Sequence, residues 1–134
     1  MPNERRRRKT LPNGRNAERH HLRLDVGLLD SAAWAALSPP AIKLLLAVWR
    51  KCNGRNNGTL VYSKRQAMTL LACGSDRARA AFDELQEKGF LALRRASSFS
   101  QKARAAREWA ITAESEDGQP AERTFQRWQP TKKG

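Results

Sequence analysis

Arg77 and Arg79 stand two residues apart in the stretch Gly-Ser-Asp-Arg-Ala-Arg, with Ser75 and Asp76 directly before them. Two guanidiniums, a carboxylate and a hydroxyl within five residues make a hydrogen-bonding set, not a nucleophile with its base. A guanidinium forks onto two acceptors at once, as on a guanine edge. A carboxylate in the same turn accepts from a cytosine amine or orients a neighbouring arginine. Upstream, Ser63, Lys64, Arg65 and Gln66 form a second polar group at the start of another predicted helix, where cations and free backbone N–H groups suit phosphate oxygens. Arg55, in the loop Asn-Gly-Arg-Asn-Asn-Gly, is a further candidate for phosphate contact. The chemistry of enzymes is missing from the pattern. No Ser/His or Cys/His pair has a third group to support it, and the Asn-Gly-rich loop lacks the Lys-Ser/Thr of a phosphate-binding loop. His20 and His21 are adjacent and point to opposite sides of a strand. Cys52 and Cys73 form no CxxC, so reduced thiols, no metal and no cofactor are expected.

These residues need elements to hold them. Ser63 and Gln66 form a capping box for a helix over 63–72 that buries Ala67, Leu70 and Leu71. Ser75 is expected to cap a second helix, 76–88, with Gly89 at its left-handed C-terminal position. Ala78, Ala81, Phe82 and Leu85 recur at helical spacing and mark the inner face. Asp76, Arg79, Ala80, Asp83 and Glu87 then point outward, with Arg77 and Glu84 on the flank. Arg77 and Arg79 lie in the first turn, whereas Asp83, Glu84 and Glu87 crowd the second half, so only the N-terminal end can approach a polyanion. Before this pair, Ser38 with Pro39 and Pro40 starts a longer helix ending near Cys52, its inner face Ile42, Leu45, Leu46 and Trp49. A strand over 20–24 and a helical stretch over 26–37, capped by Asp30 or Ser31 and anchored by Trp34 and Leu37, complete the N-terminal half. Strands follow at 59–62, 90–95 and 108–112.

The chain has 134 residues, 26 Lys plus Arg against 13 acids, and a formal charge of +13. Such an excess predicts a polyanionic partner. No stretch approaches the roughly 18 apolar residues of a membrane span, and no signal-peptide core follows the first basic run. That points to the cytoplasm and away from membranes. Residues 1–21 read as a disordered basic arm bearing Arg5, Arg6, Arg7, Arg8 and Lys9, and 22–112 as the folded domain. Residues 113–134 read as an acidic linker with an aromatic tail, whose Phe125 and Trp128 want a surface on this domain, a second copy or another protein. Between the last two strands, Arg94, Arg95, Ser97, Ser98, Ser100, Gln101, Lys102, Arg104 and Arg107 make a cationic, hydroxyl-rich tip free of acids, as phosphate contact requires.

Two helices joined by a tight turn and followed by a β-ribbon describe a winged helix-turn-helix: mainly α with a small antiparallel sheet, an α+β fold. The Asn-Gly-Arg-Asn-Asn-Gly loop, Ala80-Ala81-Phe82-Asp83-Glu84-Leu85 with Gly89-Phe90, and the ribbon from Ser97-Ser98-Phe99-Ser100 to Glu108-Trp109 resemble winged helix-turn-helix proteins of bacterial mobile elements and prophages over about residues 22–128. The resemblance implies a three-helix core, double-stranded DNA as partner and a nucleoid-associated, bacterial setting. In helices of that type an outward first-turn position often carries a basic or amide side chain. Ala80 departs from this. The expected function is sequence-specific duplex binding by a transcriptional regulator, with a homodimer if the site is palindromic. A replication or excision accessory factor docking partners through Phe125 and Trp128 is the alternative, and a nonspecific basic RNA- or DNA-binding protein is a third reading.

Overall fold

The computed structural model describes residues 20–95 and 107–130. In chain order the elements are α1 (Val26–Leu29), α2 (Ala32–Ala35), α3 (Pro39–Trp49), β1 (Leu60–Val61), α4 (Lys64–Leu71), α5 (Ser75–Glu87), β2 (Leu91–Arg95), β3 (Glu108–Ile111) and a 3₁₀ turn, Thr124–Arg127. The strands form one antiparallel sheet in the order β1-β3-β2. Five helices with a small sheet are an α+β fold, as the sequence led us to expect. No helix among the described residues is long and apolar enough to cross a membrane.

The expected strand over 20–24 is not formed. Leu22 and Leu24 do turn inward against the core in an alternating pattern, but the stretch pairs with none of the three strands. The single helical stretch over 26–37 is two one-turn helices instead. Asp25 caps the first, its Oδ1 accepting from the Leu28 N–H at 2.6 Å, and Ser31 caps the second through Trp34. Asp30 closes α1 rather than opening a helix. Ser38 caps α3 as expected, but the helix ends at Trp49. Its buried face is Ala41, Leu44, Leu45, Val48 and Trp49, while Ile42 and Leu46 are only half-buried. The stripe is turned because α3 packs against both α4 and α5.

Aromatic rings fill the interior. Trp109 on β3 stacks on Phe82 of α5 with ring centres 4.9 Å apart, and its indole N–H donates to the Tyr62 carbonyl. Phe90 stacks on Phe125 at the same spacing, and Trp34 meets Phe90 edge-on. Phe125 is fully buried. Residues 113–130, read from composition as linker and tail, therefore fold back onto the domain and supply part of its core. Trp128 is half-buried under the Lys88 ammonium, 5.2 Å from its ring centre.

Buried polar groups lock the sheet to its surroundings. Asn57 accepts from the Ile111 N–H at 2.7 Å and donates to the carbonyls of Ile111, Glu114 and Ser115, so one side chain stands in for a strand partner. Removing it would strand several buried backbone groups, at a cost on the order of 3 kcal/mol. Thr112 Oγ1 donates to Gly89 O at 2.6 Å, and the Trp49 indole donates to the Glu114 carboxylate at 2.8 Å. Gly89 has φ +87°, and a Cβ there would sit 2.7 Å from the Phe125 nitrogen. Only glycine meets both demands.

Candidate nucleic-acid interface

The capping box at the start of α4 forms as expected: Ser63 Oγ accepts from the Gln66 N–H at 3.0 Å, and Gln66 Oε1 accepts from the Ser63 N–H at 2.8 Å. This occupies Gln66 Oε1 and leaves its amide NH₂ as a donor. Lys64 and Arg65, in the first turn, are exposed, with backbone N–H groups that no side chain caps. Ala67 is buried beneath them, whereas Leu70 and Leu71 are only half-buried.

The turn into α5 differs from expectation. Ala72 takes the left-handed conformation at φ 51°, ψ 52°, two residues before Gly74. The chain re-enters a helix one residue early, so Gly74 is the N-cap and Ser75 is the first helical residue. Ser75 therefore makes no capping bond, and the N-terminal N–H groups of α5 have no side-chain acceptor. A helix end in that state attracts negative charge through its dipole and free donors.

The phase of α5 matches the periodicity. Ala78, Ala81, Phe82 and Leu85 are buried; Asp76, Arg77, Arg79, Ala80, Asp83 and Glu87 are exposed. Glu84 needs a correction, because it is not one more outward acid. Its two carboxylate oxygens accept from Ser38 N at 2.6 Å and Ser38 Oγ at 2.7 Å. It thus clasps the N-terminus of α3, where a negative charge is favoured, and fixes α5 against that helix. The periodicity put Glu84 at a flank, but nothing in its neighbourhood along the chain pointed to Ser38, 46 residues away.

The β-ribbon is only partly free for a partner. Arg94 forks onto Glu116, with contacts of 2.8 and 3.0 Å, and reaches Glu122 at 3.1 Å. Those hydrogen bonds push its guanidinium further toward the charged form. Arg95 pairs with Glu108 at 3.3 Å, across a bulge in the strand register. Both were expected as phosphate contacts, and both spend their charge on neighbours: Arg94 on the acidic segment that folds back after β3, Arg95 on Glu108 of β3 itself. Arg107 is half-buried, 5.9 Å from the Trp109 ring centre. Ser97, Ser98, Ser100, Gln101, Lys102 and Arg104 lie outside the described residues, as do Arg5, Arg6, Arg7, Arg8 and Lys9.

Among the described residues, Lys64, Arg65, Arg77 and Arg79 form no ion pair. Arg55 is exposed on a loop whose own asparagines satisfy it: Asn53 accepts from the Arg55 and Asn56 N–H groups, and Asn56 accepts from the Asn53 N–H. No group of three or more potential metal ligands comes together among the described residues. Compared with family models, with curated proteins and with solved structures, the chain matches none.

Proposed function

We propose that this chain is a winged helix-turn-helix protein that binds double-stranded DNA in a sequence-specific way, in the manner of a transcriptional regulator of a mobile element. The order α3-β1-α4-α5-β2-β3, with β3 between β1 and β2, agrees with that architecture. One observation carries the reading. Arg77 and Arg79 are exposed, without carboxylate partners among the described residues, on the first turn of a helix whose other face is sunk in the core. A helix presented this way offers its N-terminal side chains to base edges, and each bidentate arginine is worth about 1–3 kcal/mol of discrimination. Asp83 and Glu87 keep the far end of α5 off a phosphate surface.

Lys64 and Arg65 would hold the backbone beside the groove, and the β-ribbon tip would add further phosphate contacts. The accessory-factor alternative loses its main support, because Phe125 is buried in its own domain instead of being offered to a partner. The RNA reading is also weakened. The large apolar residues most exposed among the described ones are Val26, Leu29, Val61 and Leu93, none of them an aromatic platform for base stacking.

Selection of bound sequences from random duplexes tests the proposal. A defined motif is expected, and Arg79→Ala should relax it at one position. Equal affinity for every duplex, unchanged in Arg79→Ala, would overturn the reading.

A further inference from the structure

The end of α3 and the start of α4 enclose a cleft of about 410 Å³ whose polar side chains are all donors. Arg50 and Lys51 form one wall, one turn beyond Ala47. Tyr62, Gln66 and Leu70 complete the lining. The Lys51 ammonium lies 5.8 Å from the centre of the Tyr62 ring. Burial pushes the Tyr62 phenol up, opposed in smaller part by the positive charge of Arg50. Gln66 has its oxygen committed to the capping box, so its NH₂ is the end left to bind a ligand. No carboxylate lines the cleft, and among the described residues neither Arg50 nor Lys51 is ion-paired.

Two cations, an amide NH₂ and a phenol around one opening match an anion with several oxygens and do not match a metal or a cationic ligand. The cleft exceeds a lone phosphate and leaves room for an adjoining sugar, with Ala47 and Leu70 as apolar contacts. Arg50 also lines a neighbouring cleft with His20, His21 and Cys52. Gln66, which shares the cleft with Arg50 and Lys51, follows directly on Lys64 and Arg65 in α4.

We infer that this cleft seats a phosphodiester of the DNA backbone, gripped by Arg50, Lys51, Gln66 Nε2 and the Tyr62 hydroxyl. The inference rests on the duplex-binding reading and adds a positioning contact that carries no sequence information.

The test compares the full-length protein with an Arg50→Gln/Lys51→Gln double variant on a labelled duplex across roughly 50–200 mM salt, where each phosphate contact contributes about −0.9 to the slope of log K against log salt. The double variant should lose about 0.9 from that slope, weakening selected and scrambled duplexes alike and leaving the selected motif intact. A charge-conserving Arg50→Lys/Lys51→Arg variant should keep the slope; if it loses it too, charge is not the cause and the site is refuted. An unchanged slope in the Gln variant, while Arg79→Ala still relaxes the motif, overturns this site and leaves the DNA-binding reading standing. Failure of the unmodified protein to bind any duplex removes both. In a parallel NMR titration the Gln66 side-chain amide should shift with duplex. A shift with inorganic phosphate alone and none with duplex would mark a site for free anions and refute the proposal.

Discussion

Arg94 and Arg123 each meet a carboxylate: Arg94 forks onto Glu116, and Arg123 reaches Asp25 at 3.0 Å across 98 residues of sequence. Arg77 and Arg79, on the first turn of α5, have no such partner among the described residues. The side chain is the same and the circumstances are opposite. On the sheet side of the molecule the acids that follow β3 turn positive charge inward to hold the C-terminal segment in place. On the helical side Glu84 is used up on Ser38 and Glu87 lies 3.9 Å from the Lys88 ammonium, so neither acid neutralises Arg77 or Arg79. Net charge therefore says little about where a polyanion can dock. What matters is which cations are already neutralised within the fold.

If the sheet side is structural, the largest effect should come from its core. Phe125→Ala, which removes a ring stacked on Phe90, should lower unfolding free energy by about 3–5 kcal/mol in denaturant titration. A loss below about 1 kcal/mol would mean that the C-terminal segment only rests on the domain. Next come paired substitutions on the two sides. Arg79→Ala should weaken binding to the selected duplex by about 1–3 kcal/mol and change stability by less than about 0.5 kcal/mol. Arg94→Gln should show the reverse emphasis. Its pairs are partly exposed and screened, so stability should fall by about 0.5–1 kcal/mol with duplex affinity nearly unchanged. An equal loss of duplex affinity in both variants would erase the distinction between the two sides.

Ala72→Gly addresses the turn between α4 and α5. An L-residue in the left-handed region is strained, and glycine should gain about 0.5–1 kcal/mol in thermal unfolding even though it loosens the unfolded chain. The smallest effect concerns Asp25. The Arg123 hydrogen bond, helped by the Leu28 N–H, holds its carboxyl below the usual carboxylate range. The ionised form is thus favoured in the folded state, so this contribution is present above the unfolded-state pKa, near 4, and is lost as pH falls through the lowered folded-state value. Asp25→Asn should flatten the acid limb of a stability–pH profile. A limb identical to the original would remove Arg123–Asp25 from the set of working pairs.

The inner face of α5, the capping box at Ser63 and Gln66, the Ser38 start of α3 and the turn at Gly89 were all legible, because each depends on residues within a few positions of one another. The parts that escaped are set by distant neighbours. The stretch 20–24 alternates like a strand, yet a strand needs an edge, and periodicity cannot say whether one is there. Ser75 is a good cap by type, but Ala72 accepted a strained conformation and moved the helix start. Composition after residue 112 resembled a linker because its acids are conspicuous, and only the structure shows Arg94, Asn57 and Trp49 as their counterparts. At the candidate interface, Arg77, Arg79, Lys64 and Arg65 could be picked out from type and helical phase. Arg50 and Lys51 could not, since their cleft exists only once α3 and α4 pack together.

Gly89 bears on how this domain can be cut or borrowed. The backbone of residues 124 and 125 lies against the bare α-carbon that ends α5, so the helix pair and the C-terminal turn share a boundary with no side chain to separate them. Transplanting residues 63–89 alone into another scaffold would expose that seam and leave behind Phe90 and Phe125, whose rings stack beside it. A chimera meant to keep the orientation of Arg77 and Arg79 should carry the chain through residue 130, and the smallest portable cassette is nearly the whole described domain.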